Sequence, residues 1–181
     1  MEKLRILLVA GGWSTEREIS LSGAASIAEA LSGRGHEVTL FDLSDGFENL
    51  LELAAGHDVA FLNLHGQPGE DGLVQAILER AGCPYQGSGP AGSFLALNKA
   101  AGKALFRRAG LLTPDYEFLP VRPPQGWKTS LPYPLFVKSN NGGSSIDLFR
   151  VNDEAQLAEA LNTLFDHHQE VVIETFIPGQ E

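Results

Sequence analysis

Cysteine is almost missing from this chain of 181 residues. Cys83 is the only one, so an intrachain disulfide is excluded. Such a composition is typical of proteins that fold in a reducing compartment, and we expect the protein to be cytoplasmic. Cys83 lies in an apolar stretch over residues 81–85, which favours a small buried side chain over a nucleophile.

Basic residues and long apolar runs are also scarce. The chain has 13 Lys and Arg against 23 Asp and Glu, which gives a net charge of −10. Because binding to a nucleic-acid backbone depends on neutralising phosphates, we expect no nucleic-acid partner. Since no apolar segment is long enough for a signal sequence or a membrane span, we expect no membrane partner either.

The first 96 residues alternate between strand and helix patterns. Apolar runs predict strands over residues 4–10, 38–41 and 59–64 and a short strand from residue 84, with amphipathic helices over 19–31, 50–54 and 74–81. This alternation predicts a parallel sheet of four strands with right-handed crossovers. Reactive groups are then expected beyond the carboxyl ends of the strands, where Glu16 and His65 occur.

The pattern changes after residue 96. A helix is predicted over 98–109, a strand over 116–119 and a proline-rich connection over 120–132. Strands at 134–137 and 146–151, a helix over 154–165 capped by Asp153 and a strand at 170–174 follow. This order indicates an α+β layer with an antiparallel pair of strands.

The loop after the strand at 134–137 has the composition of a phosphate site. The strand ends at Lys138, and residues 139–144 are small or polar, with Gly142 and Gly143 allowing a close backbone approach. Backbone N–H groups, hydroxyls and a lysine suit an anion. The loop is not a Walker A motif, because the lysine precedes the glycines. A flexible hairpin loop with a solvated lysine explains the local sequence equally well.

Five motifs, taken in order, point to a known family. They are GGWSTEREISL at 11–21, LHG at 64–66 with GEDG at 69–72, YQGSG at 85–89 with NK at 98–99, KSNNGGSSID at 138–147, and ETFIPGQE at 174–181. Together they resemble the D-alanine–D-alanine ligase family of ATP-grasp enzymes across essentially the whole chain. The resemblance implies an α/β fold: a parallel-sheet, Rossmann-like pre-ATP-grasp domain over 1–96, then part of an α+β ATP-grasp domain over 97–181.

The resemblance also implies an activity and a role for each motif residue. Enzymes of this family are ATP-dependent carboxylate–amine ligases that make the D-alanine dipeptide for peptidoglycan precursors. Glu16 and Ser144 would be catalytic, with Ser144 linked to Glu16 by hydrogen bonds, and Glu16 and His65 would bind the first D-alanine. The residues expected to bind ATP are Lys99, Lys138, Ser144, Ser145, Glu174, Phe176, Ile177 and Glu181.

Plainer interpretations remain open for several of these residues. Glu16 sits in a Glu-Arg-Glu cluster and can be a solvated loop charge, and Lys99 can be a solvated helix lysine. His65 can be a structural residue at a strand end. Phe176 and Ile177 can belong to the core.

The chain departs from the family pattern at four positions. Ser139 stands where the family has proline, Gly143 where a glutamate precedes the two serines, Asp147 where a glycine follows, and Asn98 where aspartate is frequent. An added glycine loosens the loop, and a carboxylate near phosphates repels them. These departures bear on ATP affinity and not on the fold.

The resemblance further implies ATP and Mg²⁺ or Mn²⁺ as cofactors and a homodimer as the assembly. The family's metal ligands lie in a C-terminal portion beyond residue 181, so no metal ligand is predicted here, and this chain is expected to be inactive alone. The second substrate stays open between D-alanine, D-lactate and D-serine. Two alternatives remain: a non-catalytic module that binds a nucleotide or an amino acid, and another ATP-grasp carboxylate–amine ligase that needs a separate C-terminal partner.

Overall fold

The computed structural model describes residues 2–143, 147–167 and 169–179. It divides into two compact units, Met1–Phe94 and Leu95–Glu181. A domain boundary after residue 96 stays a prediction.

The first unit is built on a parallel sheet. Strand β1 (Arg5–Ala10) lies in the centre and pairs in parallel with β2 (Glu37–Asp42) on one side and β3 (Val59–Leu62) on the other. Residues 6–10 of β1 are all buried. A strand covered on both faces needs a continuous apolar run rather than an alternating one, as the sequence of β1 has.

Helices cover both faces of this sheet. Helix α1 (Arg17–Gly33) packs against Leu8 and Ala10, whereas α2 (Phe47–Ala54) and α3 (Leu73–Ala81) pack on the face of Leu7 and Val9. Cys83 is buried in the core on the α2–α3 side, as its apolar surroundings indicated. The exposed Trp13 lies edge-on to Phe47, with ring centroids 5.5 Å apart.

The prediction of a fourth strand from residue 84 is wrong in extent. Only Tyr85 joins the sheet, through an isolated parallel bridge to Ala60. At the next residue, side-chain hydrogen bonds take the place of backbone pairing between strands. Gln86 Oε1 accepts from Leu62 N at 2.9 Å, and Gln86 Nε2 donates to Leu62 O at 2.7 Å. The side-chain amide satisfies the backbone groups that a longer strand would have paired.

The second unit contains an antiparallel sheet. Helix α4 (Pro90–Leu97), which the sequence did not predict, contains the boundary between the units at residues 94–95, and α5 (Lys99–Arg108) follows it in the second unit. Strands β4 (Tyr116–Leu119), β5 (Leu135–Ser139), β6 (Leu148–Val151) and β7 (Val171–Thr175) follow in the order β4-β7-β5-β6. Every neighbouring pair is antiparallel.

Helix α6 (Glu154–Asp166) covers one face of this sheet. It begins after Asp153, whose carboxylate accepts from Gln156 N at 2.9 Å, as the sequence predicted for a helix cap. Its buried residues pack on Leu135, Val137 and Ile173, and Trp127 from the proline-rich connection packs on the same core. The predicted fold class is confirmed: a parallel α/β unit followed by an α+β unit.

Within the described ranges, no helix is both long and apolar enough to cross a membrane.

Candidate functional site

The face of the antiparallel sheet opposite α6 carries charged and aromatic side chains. Residues directly opposite each other in antiparallel strands project to the same face. Tyr116 pairs with Glu174, Glu174 with Phe136, and Phe136 with Arg150, so all four share this face. Lys138 lies two residues beyond Phe136 on β5 and therefore projects to the same side.

Glu174 is the centre of this face. Its side chain is nearly buried, and its two oxygens bind different lysines: Oε2 lies 2.8 Å from Lys138 Nζ, and Oε1 lies 3.3 Å from Lys103 Nζ. A buried carboxylate is tolerated only where cations or donors compensate for the lost hydration. The structure therefore joins the predicted residues Glu174 and Lys138 and adds Lys103 from α5.

Lys99 lies at the start of α5, where Asn98 caps the helix. Its ammonium donates to Asn140 O at 3.3 Å and to Gly142 O at 2.5 Å, in the loop that follows β5. Burial and the positive charge of Lys138 lower the pKa of Lys99 below the ordinary lysine value, while Glu174 opposes the shift. The two ammonium groups are therefore close enough for their charges to interact.

Asn140 ties α5 to the end of β5. Its side chain is fully buried, accepts from Ala100 N at 2.9 Å and donates to Glu170 Oε2 at 2.8 Å. Its backbone O accepts from Lys99 N at 3.1 Å. These bonds fix the first turn of α5 relative to the glycine loop, and so they fix the direction of Lys99.

Phe176 and Ile177 follow β7 directly. The Phe176 ring lies 5.7 Å from the Phe136 ring, and the Arg150 guanidinium lies 4.4 Å from the Phe176 centroid. Phe176 N donates to Pro134 O at 3.1 Å, whereas Ile177 is 61% exposed. Phe176 thus belongs to the charged face, and Ile177 is not a core residue.

A cavity of about 440 Å³ opens beside the lysines. Most of its wall is apolar, and its polar lining residues are Asn98, Lys99, Lys103, Thr113 and Glu174. The apolar lining comes from α4 and α5, through Leu95, Ala96, Gly102, Leu105 and Phe106. A mostly apolar pocket with a few convergent polar groups is the usual form of a small-molecule site.

In the first unit, the glycine turn after β1 is held rigidly. Gly11 N donates to Ser20 Oγ at 2.8 Å, and Ser20 Oγ donates to Asn63 O. Gly12 N donates to Asp42 Oδ1 at 3.0 Å. Both glycines have positive φ values, +70° and +84°, a backbone conformation that residues other than glycine rarely adopt.

Glu16 and His65 lie in the two loops at the carboxyl edge of the parallel sheet. Glu16 occupies the residue before α1, and His65 follows β3; both are half-buried. The loops are neighbours, because a Cβ built on Gly66 would lie 3.5 Å from Ser14 Cβ. Glu70 Oε2 accepts from Gly66 N at 2.7 Å and orders the second loop. The two residues predicted to bind the amino-acid substrate therefore lie in loops that follow the neighbouring strands β1 and β3.

Three of the predicted site residues, Ser144, Ser145 and Glu181, lie outside the described residues. In the part of the chain that the structure describes, no group of three or more His, Cys, Asp and Glu side chains could hold a metal ion.

Comparison with known proteins agrees with the motifs. A family model described as the D-ala D-ala ligase C-terminus matches residues 105–181. The chain is 60% identical over 178 residues to the D-alanine–D-alanine ligase of Oleidesulfovibrio alaskensis, covering 98% of this chain and 58% of that protein. The resemblance to the D-alanine–D-alanine ligase family is confirmed.

Solved structures of D-alanine–D-alanine ligases have the same fold. The enzyme from Bacillus anthracis superposes with a TM-score of 0.86 at 35% identity, covering 97% of this chain and 58% of that chain. Its complex with ATP superposes with a TM-score of 0.83 at 34% identity, covering 97% and 60%. This chain therefore spans about three fifths of the length of the ligases that it matches.

Two of the four departures from the ligase pattern, Asn98 and Ser139, have local explanations, whereas Gly143 and Asp147 have none in the structure. Asn98 caps α5 by accepting from Ala101 N at 2.9 Å, the same function that an aspartate would serve. Asp147 has a φ of +58°, a conformation that favours glycine, which the family pattern has there. Ser139 Oγ donates to Gln169 Oε1 at 2.7 Å and accepts from Gly142 N at 3.0 Å, so it shapes the glycine loop.

Sequence reasoning missed three polar residues of this face and its loop, namely Lys103, Asn140 and Glu170. One signal for Lys103 was present, because it lies four residues after Lys99 and such residues share a helix face. Asn140 and Glu170 gave no signal, because their partners come from distant parts of the sequence.

Proposed function

We propose that this chain is the nucleotide- and first-substrate-binding portion of a D-alanine–D-alanine ligase. The observation that carries the proposal is the group formed by Lys99, Lys138 and Glu174, which holds two ammonium groups at the charged sheet face. The 60% identity to a ligase of that name supports the reaction class. The chain spans 58% of that relative, so we propose the ligase activity for a complete enzyme that contains this chain.

ATP is proposed as the nucleotide. Lys99 and Lys138 would hold its phosphates, and point charges of this kind stabilise negative charge during phosphoryl transfer. Glu174, Phe176 and Ile177 would hold the base end, with Glu181 on the ribose and Ser144 and Ser145 on the phosphates. When bound, ATP supplies the phosphoryl group that activates the carboxylate of the first amino acid.

D-Alanine is proposed as the first substrate. Glu16 would bind its ammonium group by charge-assisted hydrogen bonding, and His65 lies in the neighbouring loop. The glycine turn fixed by Ser20 and Asp42 supports the start of α1, where Glu16 sits. Ser144 would complete the catalytic set. D-Alanine is also proposed as the second substrate, because the related proteins are named D-alanine–D-alanine ligases.

No magnesium or manganese site is proposed on the described residues, among which no group of three or more His, Cys, Asp and Glu side chains could hold a metal ion. Hard divalent cations need several oxygen ligands, so the metal that would accompany ATP is proposed to bind elsewhere in the complete enzyme.

Turnover by a completed enzyme tests the proposal. The chain would be fused at residue 181 to the matching C-terminal segment of the Oleidesulfovibrio relative, and phosphate release from ATP would be measured with and without D-alanine. We expect D-alanine-dependent release and a dipeptide by mass spectrometry from the fusion, and none from the chain alone. Lys138→Met should abolish turnover, whereas Lys128→Met, at an exposed ion pair with Glu154, should not. A folded fusion without D-alanine-dependent turnover contradicts the proposal.

We further propose that the complete enzyme is a homodimer and that it is located in the cytoplasm. Sedimentation of the fusion tests the assembly. Replacing D-alanine with D-lactate or D-serine as the second substrate tests the specificity.

A further inference from the structure

Lys103 is a buried cation in the middle of α5, with 6% of its surface exposed. Its ammonium has three donors, and three acceptors surround it: Thr113 Oγ1 at 2.7 Å, Pro114 O at 3.1 Å and Glu174 Oε1 at 3.3 Å. The Tyr116 ring lies 5.1 Å from Nζ. The donors of the lysine are therefore satisfied within the protein, which leaves none for a ligand.

The other oxygen of the same carboxylate binds the lysine that is proposed to meet phosphate. Glu174 Oε2 lies 2.8 Å from Lys138 Nζ, and the Lys138 side chain is 25% exposed. One negative charge is thus shared between two ammonium groups, and only one of them reaches solvent. The partly buried Lys138 keeps part of its positive charge uncompensated, because Lys103 balances part of the Glu174 carboxylate charge.

A buried ion pair is by itself weak evidence that Lys103 serves stability. Replacing a buried ion pair with apolar residues is often neutral or stabilising, so the helix could be packed without this charge. Burial lowers the pKa of Lys103 below the ordinary lysine value, while Glu174 opposes the shift.

We propose that Lys103 is a positioning residue that divides the Glu174 carboxylate and so prevents it from neutralising Lys138. Without Lys103, both oxygens of Glu174 turn to Lys138, draw its ammonium onto the sheet and cancel its charge. With Lys103 in place, Lys138 remains available to a polyphosphate. The polyphosphate step rests on the proposed function, whereas the division of the carboxylate does not.

The reactivity of Lys138 in the chain itself tests the inference. Trinitrobenzenesulfonate labels the neutral amine, and peptide mass mapping gives a rate for each lysine. In Lys103→Met, the undivided carboxylate should stabilise the Lys138 ammonium and slow its labelling by about threefold or more. Lys103→Arg keeps the charge and should restore the rate to near that of the wild type. Lys128→Met, at the exposed pair with Glu154, should leave Lys138 unchanged.

Each alternative outcome contradicts the inference. An unchanged Lys138 rate in folded Lys103→Met means that the carboxylate is not redistributed. Faster labelling of all lysines means that Lys103 is only structural. Lys103→Gln keeps a hydrogen-bond donor without the charge and replaces the Met variant if that variant does not fold. If Met, Gln and Arg variants all unfold, the role is structural only.

Binding of inorganic tripolyphosphate, measured by calorimetry, separates the two proposals. If the wild-type chain binds it, Lys103→Met should weaken binding by about fivefold or more. Failure of both the chain and the fusion to bind counts against the nucleotide site and leaves the labelling result for Lys103 intact.

Discussion

The Arg17 guanidinium binds the Asp42 carboxylate, with Nη2 2.5 Å from Oδ2, and this ion pair joins the start of α1 to the end of β2. The other oxygen, Oδ1, accepts from Gly12 N at 3.0 Å and from Ser44 N at 2.9 Å. A single carboxylate thereby fixes the glycine turn that precedes Glu16.

Asp42 should make the first unit sensitive to acid. Burial by itself would raise its pKa, but the hydrogen bonds from Gly12 and Ser44 and the charge of Arg17 lower the pKa to about 2. A carboxyl whose folded pKa is depressed stabilises the fold above its unfolded pKa and loses that stabilisation as the pH falls toward 2. The shift corresponds to something on the order of 2 kcal/mol.

Asp42→Asn should therefore lower the free energy of unfolding at pH 7 by about 1–2 kcal/mol and reduce its decline in acid. Urea denaturation at a series of pH values measures both effects. Glu18→Gln is the matched control, because Glu18 is the exposed second partner of Arg17 and such pairs contribute little. Equal effects of the two substitutions would show that Asp42 is not special.

Gly11→Ala should be strongly destabilising. A Cβ at Gly11 would lie 2.3 Å from Asp42 Oδ1, and the φ of +70° is strained for alanine. We expect a loss of more than about 2 kcal/mol in the free energy of unfolding. Gly33→Ala is the control: no atom lies within 4 Å of its Cβ, and alanine favours a helix. A wild-type melting temperature for Gly11→Ala would contradict the rigid turn.

Glu16→Gln should weaken binding of the first D-alanine in the fused enzyme. Loss of the carboxylate charge removes an ion contact, so KM for the first D-alanine should rise by about tenfold or more. Steady-state kinetics at saturating ATP measure it. Glu18→Gln neutralises an exposed charge two residues away and should leave KM unchanged. An unaltered KM in Glu16→Gln rules out the proposed contact.

Nucleotide binding should weaken at high pH because of Lys99. Its pKa is lowered by burial and by Lys138, so its ammonium is lost at a lower pH than an ordinary lysine. ATP affinity of the fused enzyme, measured by calorimetry across the alkaline range, should fall with deprotonation. Lys99→Arg keeps its charge there and should flatten this dependence. Identical alkaline profiles for wild type and Lys99→Arg would assign the effect to another group.

The elements that local pattern dictates could be predicted from the sequence. The continuous apolar run of β1 predicted a strand covered on both faces, and Asp153 predicted the start of α6. The predicted strand at Tyr85 stopped after one bridge because the Gln86 side chain took over the backbone partners of Leu62. That substitution depends on two segments meeting in space, which no local pattern encodes.

The candidate site could also be predicted only where a local motif marks the residue. The motif positions led to Lys138 and Glu174, which the structure joins in one ion pair. The burial of Lys103 could not be foreseen, because a lysine on a helix is usually solvated and only tertiary packing encloses this one.

The distribution of tryptophan gives the chain two built-in optical probes. Of its 2 tryptophans, Trp13 lies against Phe47 in the first unit, and Trp127 packs on the α6 core in the second. Intrinsic fluorescence from each single-tryptophan variant would therefore follow one unit alone. Two emission signals, one from each variant, would report whether the two units melt together or in sequence.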